Sequence, residues 1–156
     1  MRLLSKKGIN VIECFNTDDK NKLIKHFNNS YLADTNNNSF IPIYLNSSLY
    51  DNFEEFVNSL EDQLRSSLFT SNNVIPVYII DLFDQHIEHL EINKLYTKID
   101  DRYPTAIITN TDFKNHMEND LFISDKTEIV LSFHLDEITI IKSKNTIKFT
   151  LEDTII

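Results

Sequence analysis

Glycine is almost missing from this chain. One glycine stands among 156 residues, where average usage of about 7% would supply about eleven. Glycine lets backbone approach a phosphate closely and adopt positive φ. Every glycine-rich device for nucleotide binding or nucleophile display is therefore absent as written: no GxGxxG, no intact P-loop, no GxSxG elbow. Asparagine tolerates left-handed backbone next best, so Asn28-Asn29, Asn36-Asn37-Asn38 and Asn72-Asn73 are the expected stand-ins. A bias toward Asn, Ile and Lys is also what an AT-rich genome produces.

Cysteine is nearly as scarce. The single Cys14 excludes an internal disulfide framework and fits a reducing compartment. No apolar run approaches the roughly 18 residues of a membrane span, and Met1 to Asn10 lacks a secretory apolar core. A cytoplasmic setting without membrane association is the expectation. Cations are the minority charge: 24 acidic residues face 15 Lys and Arg, a net charge of −9. Affinity for phosphate backbones scales with cationic contacts, so a broad nucleic-acid-binding face is disfavoured. Lysines gather locally at Lys20, Lys22 and Lys25, and at Lys142, Lys144 and Lys148, as solvated polar faces do. The acidic balance suits a basic protein partner, because complementary potentials speed and select encounters.

What remains is an ordinary composition for one domain, with 41% hydrophobic and 25% charged residues. Asn-Val-Ile-Glu-Cys-Phe at 10–15 reads as a buried strand. A helix capped by Thr17 or Asp18 follows to about Tyr31, with Leu23, Ile24, Phe27 and Tyr31 on one face. Phe40 to Leu45 is a second strand, and Pro42 implies an edge position or a bulge. Asp51 to Leu68 is an amphipathic helix built on Phe53, Phe56, Val57, Leu60 and Leu64. Val74 to Ile80 is continuously apolar, as a strand covered on both faces would be. A helix from about Gln85 to Asp100 is expected to turn Ile87, Leu90, Leu95 and Ile99 inward. Thr105 to Thr109 is a fourth strand and Thr111 to Glu118 a short helix. Three strands then follow at Glu128–Leu135, Glu137–Ser143 and Thr146–Leu151. The expected fold class is α/β: a three-layer sandwich with a mainly parallel sheet from four β-α units over 1–120, and an antiparallel meander over 121–156.

Ligands of such sheets sit beyond the strands' carboxyl ends. After the first strand, Cys14-Phe15-Asn16-Thr17-Asp18-Asp19-Lys20-Asn21 leads into a helix and keeps Lys20 at the lysine position of G-x-x-x-x-G-K-[ST]. Cys14 and Asp19 replace the glycines, and Asn21 replaces the metal-binding hydroxyl. After the third strand, Ile79-Ile80-Asp81-Leu82 keeps the first acid of the Asp-Glu pair that P-loop ATPases place there. After the fourth, Thr109-Asn110 offers a polar residue where such ATPases contact the γ-phosphate. In order and spacing, residues 9–115 resemble an AAA+ ATPase core, nearest the DnaA and Hda replication-initiator group. The resemblance implies a pseudo-ATPase that keeps the scaffold for protein contacts, with Lys20, Asp81 and Asn110 as vestiges of the nucleotide site. An acid at Asp19 is expected to point charge at the triphosphate, and no second carboxylate stands beside Asp81 to orient water.

Other clusters have plainer readings beside their chemical ones. Asp81, Asp84 and His86 form a possible metal set, although acids near a helix start are explained equally by the helix dipole. His134 and Asp136 would join that set if folding brought them near. Cys14 precedes a helix start, where a thiolate is stabilised, but a small core cysteine accounts for it. The preferred reading is a non-enzymatic acidic domain, without a cofactor, that binds another protein. Its candidate interface is the edge of the last strand, with Ile147, Phe149 and Leu151, and the apolar tail at Ile155 and Ile156. Self-association through that edge is the symmetric form of the same expectation. Two alternatives remain: an immunity or antitoxin-like inhibitor of a basic enzyme, and a metal-dependent hydrolase using Asp81, Asp84 and His86.

Overall fold

The strand nearest the N-terminus lies inside the sheet, with partners on both sides. In a computed structural model, which describes residues 8–33, 39–67, 74–99, 102–110, 116 and 120–143, strand β1 (Gly8–Cys14) is buried along its whole length. It pairs in parallel with β4 (Pro104–Thr109) on one side and β5 (Thr127–His134) on the other. Beyond β4 lie β3 (Val74–Asp81) and then β2 (Ser39–Asn46), both parallel. Beyond β5 lies β6 (Glu137–Ser143), which returns antiparallel. The six-stranded order is β2-β3-β4-β1-β5-β6. The fold is thus α/β, mainly parallel with an antiparallel extension, as the sequence pattern predicts.

Chain direction decides which helix covers which face. From β1 the chain crosses to the far edge strand β2, and from there it steps back through β3 and β4 and over β1 to β5. Right-handed crossovers running in opposite directions put their helices on opposite faces. Helix α1 (Thr17–Ala33) accordingly packs Leu23 and Phe27 against Ile12, Val77, Ile79, Ala106, Ile108 and Leu131. Helices α2 (Phe53–Ser67), α3 (His89–Lys98) and α4 (Leu121–Lys126) cover the other face. They bring Phe56, Leu60, Ile92, Leu95, Tyr96 and Ile123 onto Val11, Tyr78, Ile80, Ile107 and Val130. Val77 and Ile79 serve one core while Tyr78 and Ile80 serve the other, which is why β3 reads as an unbroken apolar run. Pro42 lies on the edge strand. Pro76 is tolerated because β3 meets β4 only from Tyr78 onward.

Several local expectations change. Helix α3 begins at His89 rather than Gln85, because Asp81 Oδ1 accepts from Phe83 N at 2.9 Å and Gln85 N turns back to Leu82 O at 3.1 Å. A capping box between Glu88 and Glu91 then starts the helix. With that start the inward stripe is Ile92, Leu95, Tyr96 and Ile99, and Leu90 turns out to solvent, 74% exposed. Helix α4 has no counterpart in the sequence reading. It is one short stretch whose first amides, Phe122 N and Ile123 N, are accepted by Asp120 Oδ1. The cap of α1 is Asn16 rather than Thr17 or Asp18. Of the expected helix at Thr111–Glu118, His116 alone is described, and the expected strand at Thr146–Leu151 lies outside the described residues. No helix among the described residues is long and apolar enough to cross a membrane.

The one glycine stands where backbone geometry demands it. Gly8 has φ +90°, and a Cβ there would meet Glu128 Cγ at 2.6 Å. The other left-handed residues among those described are not asparagines but Leu135 (φ 50°) and Asp136 (φ 65°), which form the tip of the β5–β6 hairpin. A leucine in this conformation costs roughly 1–2 kcal/mol, and Leu135 is 69% exposed, so it recovers little by packing. Replacing Leu135→Asn is therefore expected to stabilise the fold by about 1 kcal/mol, read as a higher urea midpoint with an unchanged slope.

Candidate functional site

The carboxyl ends of β1, β3 and β4 lie side by side because β4 is inserted between the other two. That order brings Lys20, in the first turn of α1, to Asp81 at the end of β3. The ammonium lies 3.1 Å from Asp81 Oδ2 and 3.7 Å from Asp84 Oδ2. Both Lys20 and Asp81 are buried, with Lys20 Nζ also above the Phe83 ring at 5.6 Å from its centroid. Asp81 takes two further donors: the Tyr44 hydroxyl on its Oδ2, and Phe83 N on its Oδ1. Its backbone carbonyl accepts from Ser47 Oγ at 2.8 Å. Burial, followed by the hydrogen bond to Asp81 and the nearby charges of Asp81 and Asp84, drives the Tyr44 phenol well above its ordinary range. Tyr44 therefore acts as a fixed neutral donor. A buried charge must be paired and hydrogen-bonded to be tolerated, and Asp81 is both.

The start of α1 is equally occupied. Asn16 Oδ1 accepts Asp19 N at 2.8 Å, and Asn16 O accepts Lys20 N at 3.1 Å. Asn16 thus holds both amides, one through its side chain and one through its backbone carbonyl. Asp19 is a correction to the sequence reading. Its carboxylate does not face a phosphate site but turns under the β5–β6 hairpin, with Oδ2 at 2.8 Å from His134 Nδ1 and Oδ1 accepting Leu135 N at 3.1 Å. Burial works against its ionisation. The bonds from the His134 ring, Leu135 N and Phe15 N, with the charge of His134, outweigh that and hold the carboxyl below its usual range. The outer face of His134 stacks on Phe15, centroids 4.4 Å apart and planes 17° from parallel. His134 and Asp136 thus join no metal set: the first is bound to Asp19, and the second lies 3.4 Å from Lys22 Nζ.

Asn110 is at the same end of the sheet but serves the other face. Its side-chain amide donates to Gln85 O at 3.3 Å. With Leu82, His86, Ile87, His89, Ile92, Thr109 and His116, it lines a cavity of about 530 Å³ beside α3. Inside it, His89 Nε2 lies 2.8 Å from Asp120 Oδ2 and the ring stacks near His116 at 5.8 Å. Burial of Asp120 is outweighed by donors from Asn93, Ile123, Phe122 and His89, so its carboxyl is held below the usual range. Thr109, one of the lining residues, has its Oγ1 buried without a hydrogen-bond partner among the described residues. The three sequence-predicted vestiges therefore separate: Lys20 and Asp81 meet on the α1 face, and Asn110 looks into the opposite cavity. The proposed metal set separates likewise, since Asp81 and Asp84 converge on Lys20 while His86 lines the cavity. Among the described residues no group of His, Cys, Asp and Glu has the geometry to hold a metal ion.

Cys14 is wholly buried. Burial first, then the negative charges of Asp19 and Asp81, push its thiol up to about 12, which is the behaviour of a core residue rather than a nucleophile. The interface candidates Ile147, Phe149, Leu151, Ile155 and Ile156 lie outside the described residues. Sequence reasoning missed Tyr44, Asn16 and the Phe15–His134 stack. The asparagine before Thr17-Asp18-Asp19 carried a capping signal that was legible. Nothing local marked Tyr44 or the pairing of His134 with Asp19, since the partners lie 37 and 115 residues away.

Two outcomes follow from this geometry. Lys20→Met strands a buried carboxylate and is expected to cost about 3 kcal/mol, whereas Lys20→Met combined with Asp81→Asn recovers most of that loss. Paired urea titrations of the two variants measure the difference. Asp19 has a folded-state pKa below its unfolded value of 3.8, so its stabilisation is present above that value and is lost as pH falls through it toward the folded pKa. The stability gap between wild type and Asp19→Ala should hold from neutral pH to about pH 5 and then narrow steadily on acidification.

No protein-family model matches this chain, and no curated protein matches it at a significant level.

Proposed function

We propose that this is a non-enzymatic, acidic protein-binding domain: an ATPase-like scaffold whose phosphate site is filled by its own side chains. The observation that carries the reading is the double occupancy at the start of α1. Lys20 is held by Asp81 and Asp84, and the amides of Asp19 and Lys20 are held by Asn16. A triphosphate would have to displace a buried ion pair and a helix cap together, and would meet the carboxylates of Asp81 and Asp84 in their place. The retained positions then support architecture. Lys20 and Asp81 tie α1 to β3, which is a structural reason to keep both without nucleotide chemistry.

The charge supports a basic partner, since a net −9 molecule attracts cationic surfaces and repels anionic ones. The buried free thiol Cys14 suits a reducing, cytoplasmic setting.

Titration calorimetry of wild-type protein with magnesium ATP and magnesium ADP at about 1 mM is expected to give no saturable heat. Saturable binding that Lys20→Met abolishes would overturn the reading. The same protein, used as bait in its native host, is expected to retain a basic polypeptide that re-forms a stoichiometric complex from purified components.

A further inference from the structure

We infer that the tip of the β5–β6 hairpin, together with Phe15, is the surface that receives the partner, and that the partner presents a basic segment carrying an apolar anchor. The inference rests on the protein-binding reading above and adds to it the place and chemistry of the contact.

Leu135 is 69% exposed and Phe15 is 52% exposed. They are joined through His134, the residue before Leu135 and the one stacked on the Phe15 ring. Together they form an apolar ridge at the carboxyl end of β1 and β5. Scattered exposed leucines need no explanation, but this one stands at φ 50°, where a turn favours asparagine or glycine. The position carries a backbone cost, and the fold's own cores, built on either face of the sheet, do not include Leu135. Strain held at an exposed apolar side chain is expected of a contact residue.

The ridge is also held rigid. Asp19 accepts both the His134 ring and Leu135 N from below, so the tip is fixed to the first turn of α1 before any partner arrives. Pre-organisation of this kind lowers the entropic cost of association. Around the ridge the charges are mainly acidic. Asp18, Asp136 and Glu137 are exposed, and the neighbouring Lys22 is engaged with Asp136 at 3.4 Å. An apolar anchor flanked by arginine matches this pattern in both respects: the side chain covers Leu135, and guanidinium groups meet the rim carboxylates and the open face of Phe15. An acidic segment or an anionic lipid surface meets repulsion at the same rim.

The test is a titration of isotope-labelled protein, followed by amide chemical shifts, with three short synthetic peptides at about 0.1 M salt. One peptide mixes arginine and leucine, the second replaces each arginine by glutamate, and the third replaces each leucine by glycine. The arginine–leucine peptide is expected to shift residues 15–19 and 133–137. The combined variant Phe15→Ser with Leu135→Asn, which leaves the net charge unchanged, should weaken that binding about tenfold or more. The arginine–glycine peptide should be weaker by a similar factor, and the glutamate–leucine peptide should leave the tip unshifted. The combined variant must also retain its folded spectrum, which the relief of the left-handed leucine favours. Undiminished affinity in the variant, shifts spread over the acidic helices, or no response at about 1 mM peptide each overturn the inference. Failure here with silent ATP calorimetry removes this surface alone. Saturable ATP binding that Lys20→Met abolishes removes the protein-binding reading beneath it.

Discussion

A lysine and an aspartate buried against each other at the end of the sheet constrain the rest of this molecule. Lys20 is in the first turn of α1, which follows β1, and Asp81 ends β3; β4 lies between those two strands, and the 3.1 Å contact links the elements on either side of it. Neither charge is tolerable alone in so dry a position. Each therefore dictates the other's place, and with it the register of α1 over the parallel core. Tyr44 and the Phe83 amide complete the coordination of Asp81, so the edge strand and the turn before α3 are drawn into the same network.

Asp19 extends that constraint in the opposite direction. Successive residues on a helix point about 100° apart, so Asp19 and Lys20 reach from the same turn to different elements. Lys20 goes to β3, and Asp19 goes to the β5–β6 hairpin. The first turn of α1 is a hub between the two halves of the sheet. This gives a physical account of why an acid stands at position 19. The carboxylate accepts from the His134 ring and from Leu135 N, and so serves the scaffold.

The architecture was largely legible because it rests on periodicity. The unbroken apolar run of Val74–Ile80 announced a strand covered on both faces, and of the edge or bulge that Pro42 implied, β2 is an edge. The stripe of Leu23 and Phe27 announced the buried side of α1. Where reading failed, a short-range hydrogen bond displaced a boundary. The Asp81 side chain ties down the Phe83 amide, which delays α3 by four residues and rotates Leu90 out of the core. Helix α4 escaped notice because six residues hold too little periodic pattern, and its existence depends on the Asp120 cap and on Ile123 finding the core.

The sequence by itself determined that this is a mainly parallel α/β fold, acidic and short of the glycine that phosphate-cradling loops require, with Lys20 at a helix start and Asp81 and Asn110 at strand ends. Those properties depend on residue type and on spacing within one element. Tertiary structure alone decided which of them meet. Lys20 closes on Asp81, Asn110 faces the opposite cavity, and Asp19 supports a hairpin tip more than a hundred positions away along the chain. Strand order and the alternation of faces set those distances, and neither is encoded in any local stretch of residues, because each emerges only when the crossovers have been laid on one side of the sheet or the other.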